Sequence, residues 1–155
     1  MSKTSGHGDS HPFSVEEEVF GGDVPSRLEE RHALIRRALR QLAKAGARPD
    51  EYVDRFHLDE IIVNAMVHGN GLDSTRCVAV RAFLGDGHRG FEVSDQGDGF
   101  DWRALDTAPN HAIDMNEDSG HGLKLIRASG GNLHFLRGGS RVVIVRENVQ
   151  DDAAG

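Results

Sequence analysis

The pattern of this 155-residue chain predicts an α/β (α+β) two-layer sandwich, with one mixed, mostly antiparallel sheet covered on one face by helices. Three observations carry that expectation. Strand-like alternation comes in hairpin-linked pairs, "TRCVAVRAFL" with "GFEVSD" and "NLHFL" with "SRVVIVRE". Helical apolar stripes are inserted between and before these pairs instead of following every strand. The hydrophobic content, 37%, is that of a folded chain whose length holds one sizeable core.

Residues 1–12 are polar and rich in Gly, Ser and His, so they read as a disordered tail before a domain spanning 13–147. Phe13, Val15 and Val19 alternate with polar neighbours as in a first strand, and "GGDVPSRLEE" reads as a turn and a helix start, with Ser26 and Glu29 at capping-box spacing. Leu28, Ile35, Leu39 and Leu42 share one stripe of the first helix, which Gly46 can stop. Asp50 can cap a second helix running to about Gly69, with Leu58, Ile61, Ile62, Ala65 and Met66 on its core face. The next two strands are joined across "GDGHRG". Residues 101–119 have no period of their own and read as a mobile loop, a kind of segment that in compact domains is usually functional or disordered. "GHGLKLIRASGG" is a short helix opened and closed by glycine, the last hairpin turns at Gly138 and Gly139, and 148–155 reads as a frayed end.

A formal net charge of −7 argues against direct nucleic-acid binding, because contact with phosphate backbones needs a basic footprint. No stretch reaches the roughly 20 apolar residues of a membrane span, and the polar start lacks the apolar run of a secretory signal; the expectation is a cytoplasmic protein with no membrane contact. Cys77 is the single cysteine, so neither an intrachain disulfide nor a cysteine-based zinc cluster is expected. The nine histidines are scattered without ligand spacing.

Within "DEIIVNAMVHGN", Glu60, Asn64 and His68 follow one another at one-turn spacing, away from the apolar stripe. Alone, such a row is an ordinary solvated face. Val53, Phe56, Val63 and Val67 flank it, however, and polar groups in a partly apolar cleft must find partners. Magnesium accepts oxygen ligands and is usually completed by waters and substrate phosphates, so the Asn64 carbonyl oxygen fits as a single protein ligand. Glu60 could then take a proton from a nucleophile attacking a terminal phosphate. The glycines of "SGHGLKLI" stand at a helix start, where N–H groups and the helix dipole favour anions, and Lys124 lies in that first turn. Asp95 ends a strand whose inward positions Phe91 and Val93 are apolar, so its carboxylate needs a specific donor, such as the exocyclic amine of a purine.

"DEIIVNAMVHGN", "SDQGDGF" and "SGHGLKLI" stand in the order and approximate spacing of the three nucleotide-binding boxes of the GHKL ATPase superfamily, which the chain resembles over about residues 13–147. Within it the chain is most similar to bacterial anti-sigma factor serine/threonine kinases. The resemblance implies a Bergerat-type ATP-binding fold with Glu60 as catalytic base and Asn64 as the magnesium ligand. It implies that Asp95 binds the adenine amino group and that Gly97 and Gly99 let backbone approach the nucleotide. His68, Phe100, Gly120, His121, Gly122, Leu123 and Lys124 complete the implied nucleotide contacts, and residues 101–119 would be a lid. ATP and Mg2+ are the implied cofactors, a homodimer the implied assembly, and a sigma factor or a small anti-sigma antagonist the implied partner. Glutamate at position 60 resembles the serine kinases and ATP-hydrolysing members, since the histidine kinases usually carry asparagine there.

The expectation is therefore a regulatory kinase that transfers the γ-phosphate of ATP to a small antagonist protein. Two others remain open on the sequence: a nucleotide-sensing interaction module with little catalysis, and a detached ATP-binding subunit of a histidine-kinase-like phosphorelay.

Overall fold

The computed structural model describes residues 17–106 and 121–148. Its strands are β1 (Glu17–Pro25), β2 (Cys77–Gly85), β3 (His88–Ser94), β4 (Asn132–Leu136) and β5 (Arg141–Glu147). Its helices are α1 (Arg31–Lys44), α2 (Val53–Asn64), the short α3 (Trp102–Asp106) and α4 (His121–Ala128). The five strands form one sheet in the order β1, β2, β3, β5, β4, with every neighbouring pair antiparallel. Helix α1 packs on β1 and β2, α2 on β3, and α4 on β4, which gives the sandwich that the pattern predicts. No helix among the described residues is long and apolar enough to cross a membrane.

Alternation sets which face is buried. Val80, Val93 and Val142 stand in one cross-strand row, Ala82, Phe91 and Ile144 in the next, and all point into the same core cluster as Leu34, Leu58 and Ile126 of the helices. A register slip of one residue would turn these side chains outward, each losing roughly 1.5–3 kcal/mol of burial for a large aliphatic group. The opposite sheet face carries a smaller buried cluster of Phe83, Val143 and Val145.

Helix α2 is locked in rotation by a buried charge cluster. Asp54, 1% exposed, accepts from Arg89 Nε of β3 at 2.9 Å and from an Arg146 guanidinium nitrogen of β5 at 2.8 Å. The backbone N–H of Asp50 also donates to it, at 2.8 Å. Removing one partner of such a set typically costs about 3–5 kcal/mol, because the other charge is left buried and unpaired. Asp50 itself caps the helix as expected, its Oδ1 accepting the N–H groups of Tyr52 and Val53 at 2.9 Å.

The first strand departs from the sequence reading. Gly21, Gly22, Asp23 and Val24 belong to β1 and not to a turn. Gly22 is there for packing: a Cβ would lie 3.0 Å from the Phe20 ring and 3.1 Å from Leu34 Cδ1, so glycine admits α1 to the strand. Ser26 is not a helix cap, since its hydroxyl donates to the Arg76 carbonyl at 2.9 Å. A 3-10 turn, Leu28–Glu30, leads into α1 instead. At the other end Gly46 has φ +101°, and the Ala47 N–H donates to Leu42 O at 3.0 Å, the expected glycine stop. The expected tail 1–12, Phe13, Val15 and most of the expected C-terminal fray lie outside the described residues.

Candidate functional site

Helix α2 brings Glu60 and Asn64 one turn apart, both half-buried, with Val53, Phe56, Val63 and Val67 half-buried around them. The helix then widens into a π-helical turn, Ala65–Gly69. The Asn70 N–H reaches back five residues to Ala65 O at 2.8 Å, and the Leu72 N–H reaches Met66 O at 2.7 Å. Single π turns are frequent at functional sites. Here the wide turn ends on a glycine with no side chain, and something else fills the space.

That something is Asp95. A Cβ on Gly69 would lie 2.1 Å from Asp95 Oδ2, so the carboxylate rests directly on the bare backbone at the end of the π turn. Asp95 follows β3, where its N–H donates to Ser140 O at 2.8 Å. Its Oδ1 accepts the Gly97 N–H at 2.8 Å, which leaves Oδ2 as the oxygen turned to Gly69. Half-burial raises the Asp95 pKa above the ordinary carboxylate value, against the lowering effect of the Gly97 bond and of Arg76.

The glycines of this loop meet backbone. A Cβ on Gly97 would stand 2.1 Å from Gly69 O, and one on Gly99, at φ +100°, would stand 2.5 Å from Gly138 O. The Phe100 N–H donates to that same Gly138 carbonyl at 3.1 Å. The loop is thus clamped between the π turn and the β4–β5 turn. Phe100 stacks on the exposed His68 ring, centroids 5.7 Å apart and planes at 30°.

The third element comes from α4. A Cβ on Gly122 would lie 2.0 Å from Glu60 Oε2 and 2.5 Å from Glu60 Cδ, so the carboxylate covers the first turn of α4. His121 opens that helix and Lys124 is half-buried within its first turn. Leu123, implied as a nucleotide contact, is 1% exposed and its side chain belongs to the core. Gly120 and residues 107–119 of the expected lid lie outside the described residues.

Helix α2 with its π turn is therefore the common wall: Gly122 meets it at Glu60, Asp95 and Gly97 meet it at Gly69, and Asn64 stands between. At three positions the wall admits no side chain, while two carboxylates and a carboxamide remain at its surface.

Sequence reasoning missed two supports. Asn70, buried, ties the site together: its Oδ1 accepts the Gln96 N–H at 2.8 Å, and its Nδ2 donates to Ser26 Oγ at 2.8 Å and to Cys77 O at 3.0 Å. The signal was an asparagine straight after a helix-ending glycine. Trp102 of α3 stacks flat on Phe135 of β4, centroids 4.0 Å apart at 4°, and the Arg103 guanidinium lies 4.5 Å above the indole. The start of the segment read as a lid is thereby anchored to the sheet by one short helix, with Asp101 Oδ1 accepting the Ala104 N–H at 3.2 Å.

The sequence model of the histidine kinase-like ATPase domain family matches residues 24–145. A comparison with curated proteins finds no match.

Proposed function

The chain belongs to the histidine kinase-like ATPase domain family, and from that premise we infer that it is an ATP-dependent protein kinase acting on a serine or threonine of a small partner protein. The observation that carries the reading is the Glu60 carboxylate resting on Gly122, which sets a proton acceptor against the first turn of a helix whose N–H groups favour phosphate.

The wall fits an adenine nucleotide and a magnesium ion. Gly69, Gly97 and Gly122 are bare where a Cβ would collide with Asp95, with Gly69 O and with Glu60, which lets both carboxylates rest on backbone at the wall. Asp95 Oδ2 presents an acceptor to an exocyclic amine, and Asn64 offers a neutral oxygen of the kind magnesium takes when phosphates and waters complete its shell. Bound magnesium supplies charge neutralisation on the phosphate oxygens. The chain's own residues do the rest. Asp95 orients the base, His68 and Phe100 close one side of the loop, and Lys124 and the start of α4 hold the phosphates. Glu60 takes the proton of the attacking hydroxyl as that oxygen bonds to the γ-phosphorus and the bond from the phosphorus to the β,γ-bridging oxygen breaks, releasing ADP.

Glutamate at position 60 favours a hydroxyl acceptor over a histidine, because a hydroxyl must lose its proton during transfer whereas an imidazole nitrogen attacks with a free lone pair. The partner class that the resemblance points to is an antagonist of anti-sigma control or a sigma factor, and the acting form is a homodimer in the cytoplasm.

The test is Glu60→Gln, assayed for binding of a fluorescent ATP analogue and for transfer from labelled ATP to candidate antagonists. Binding should stay within about threefold of wild type while transfer falls by roughly 100- to 10,000-fold. Transfer at the wild-type rate would remove Glu60 as base, and an acid-labile phosphoprotein would point to a histidine acceptor.

A further inference from the structure

Helix α1 carries Arg31, His32, Arg36, Arg37, Arg40 and Lys44 and no acid, in a chain of 25 acidic and 18 basic residues. Arg31 is accounted for by its ion pair with Asp59 at 2.5 Å. Arg36, Arg37, Arg40 and Lys44 are exposed and form no ion pair among the described residues. Uncompensated charge of one sign, concentrated on one face of an oppositely charged protein, steers partners of the other sign.

Beside this face lies a groove of about 490 Å³ lined by Val19, Phe20, Gly21, Arg37, Arg40 and Gln41. Its floor is apolar, with the Arg37 guanidinium 5.3 Å from the centre of the Phe20 ring. Its other wall is β1, which lies at the edge of the sheet and whose register breaks between Glu18 and Phe20, at the lining residue Val19. Gly21 lines the groove with backbone alone: it stands opposite Arg81, so a side chain there would point to the other face of the sheet, toward Glu18 Oε2 at 3.3 Å.

We propose that the groove between α1 and β1 docks an acidic segment of a partner protein, with an apolar side chain on the Val19 and Phe20 floor and carboxylates on Arg37 and Arg40. An acidic peptide fits better than nucleic acid, because Val19 and Phe20 in the groove take an apolar side chain, which a sugar-phosphate backbone does not offer. The docking surface is built from α1 and β1 and does not depend on the nucleotide reading.

The experiment titrates fluorescein-labelled decapeptides, each alternating Glu or Asp with one or two Leu or Phe, against the full chain at about 50 mM and about 300 mM salt. It is run beside an all-Glu decamer and a single-stranded DNA decamer. The variant is Arg37→Glu with Arg40→Glu; both side chains are exposed, and Arg55→Glu on α2 is the control, carrying at one site the charge reversal that the double variant carries at two. Saturable binding of a mixed peptide, weakened at least tenfold by the double variant, less by Arg55→Glu and by high salt, is the expected result, with ATP-analogue binding unchanged. The proposal is overturned if no mixed peptide binds, if the double variant binds as wild type does, or if the all-Glu or DNA decamer binds as tightly. It also falls if the double variant instead abolishes self-association in sedimentation, since the face would then belong to a second copy of this chain.

Discussion

The Glu60 carboxylate lies over the Cα of Gly122, so close that a Cβ there would stand 2.0 Å from Oε2. The two residues come from different sequence boxes, 62 positions apart, and no helical or strand period relates them. What joins them is the packing of α2 and α4 side by side on the sheet.

Gly122→Ala should therefore separate catalysis from folding. The colliding atoms belong to the end of a flexible side chain, and alanine gains up to about 1 kcal/mol of helix propensity over glycine, so stability should stay within about 1 kcal/mol of wild type. Glu60 must swing off the α4 turn to make room, and a displaced base should lower phosphate transfer at least tenfold. Denaturant midpoints and single-turnover transfer check this together, and a variant with full transfer would show that the base does not act from this position.

Gly97→Ala should do the reverse in one respect. Its Cβ would meet Gly69 O at 2.1 Å, and a backbone carbonyl cannot swing aside. The loop must lift from the π turn, at a cost of about 1–3 kcal/mol in stability, and nucleotide affinity should fall in parallel. Unchanged stability by urea denaturation would mean that the loop is free of the π turn in solution.

How much of this was legible beforehand follows from what each residue depends on. Asp50 as a cap, Gly46 as a stop, and Phe91 with Val93 as inward positions are local facts of spacing and backbone preference, and the chain writes them out. The three boxes could be placed on a helix end, a strand end and a helix start for the same reason. Gly21 and Gly22 misled, because a glycine pair reads as a turn until Leu34, twelve residues on from Gly22, is seen to need the space. The Asn70 bonds and the Trp102 stack on Phe135 were not legible, since each is fixed by a partner distant in sequence, and the π turn was not, since Ala65 and Met66 continue the ordinary helical stripe.

Asp95 makes a prediction about pH. Its folded-state pKa is raised above 3.8, chiefly by burial, so between 3.8 and the raised value the native state holds more protons than the unfolded chain. Stability from this group is then present at low pH and lost as pH rises through that window. Charged Asp95 at neutral pH is thus a burden on the ligand-free fold, which the purine amine of the proposed function would offset. Asp95→Asn keeps an oxygen for the Gly97 N–H but can set an N–H₂ against the amine. The variant should melt no lower than wild type at pH 7 and should bind ATP analogues about 10- to 100-fold more weakly. A lower melting point with unchanged affinity would contradict both halves.

His57 gives the opposite sign, and its geometry says why. The ring is 1% exposed, between α2 and the end of α4, with Nε2 2.8 Å from Ser129 Oγ. The Ser129 hydroxyl hydrogen is directed to Leu125 O at 2.6 Å, so the hydroxyl accepts and the imidazole donates from Nε2. Nδ1 then carries the bare lone pair, buried with no hydrogen-bond partner among the described residues. Protonation would place an N–H there with no acceptor, in a desolvated pocket facing Arg146 and Arg89, which the Asp54 and Asp50 carboxylates offset only in part. Burial first and Arg146 second lower the pKa from 6.5 to about 4. A depressed histidine stabilises the fold above pH 6.5, and that contribution is lost as pH falls toward about 4, at up to about 1.4 kcal/mol per pH unit and about 3 kcal/mol in all. His57→Gln retains a donor for Ser129 and cannot titrate. The difference between wild-type and variant unfolding free energies should thus slope across this window and be flat above pH 7, measured by urea denaturation at a series of pH values. Parallel curves for the two proteins would show that His57 exchanges its proton as freely in the folded chain as in the unfolded one.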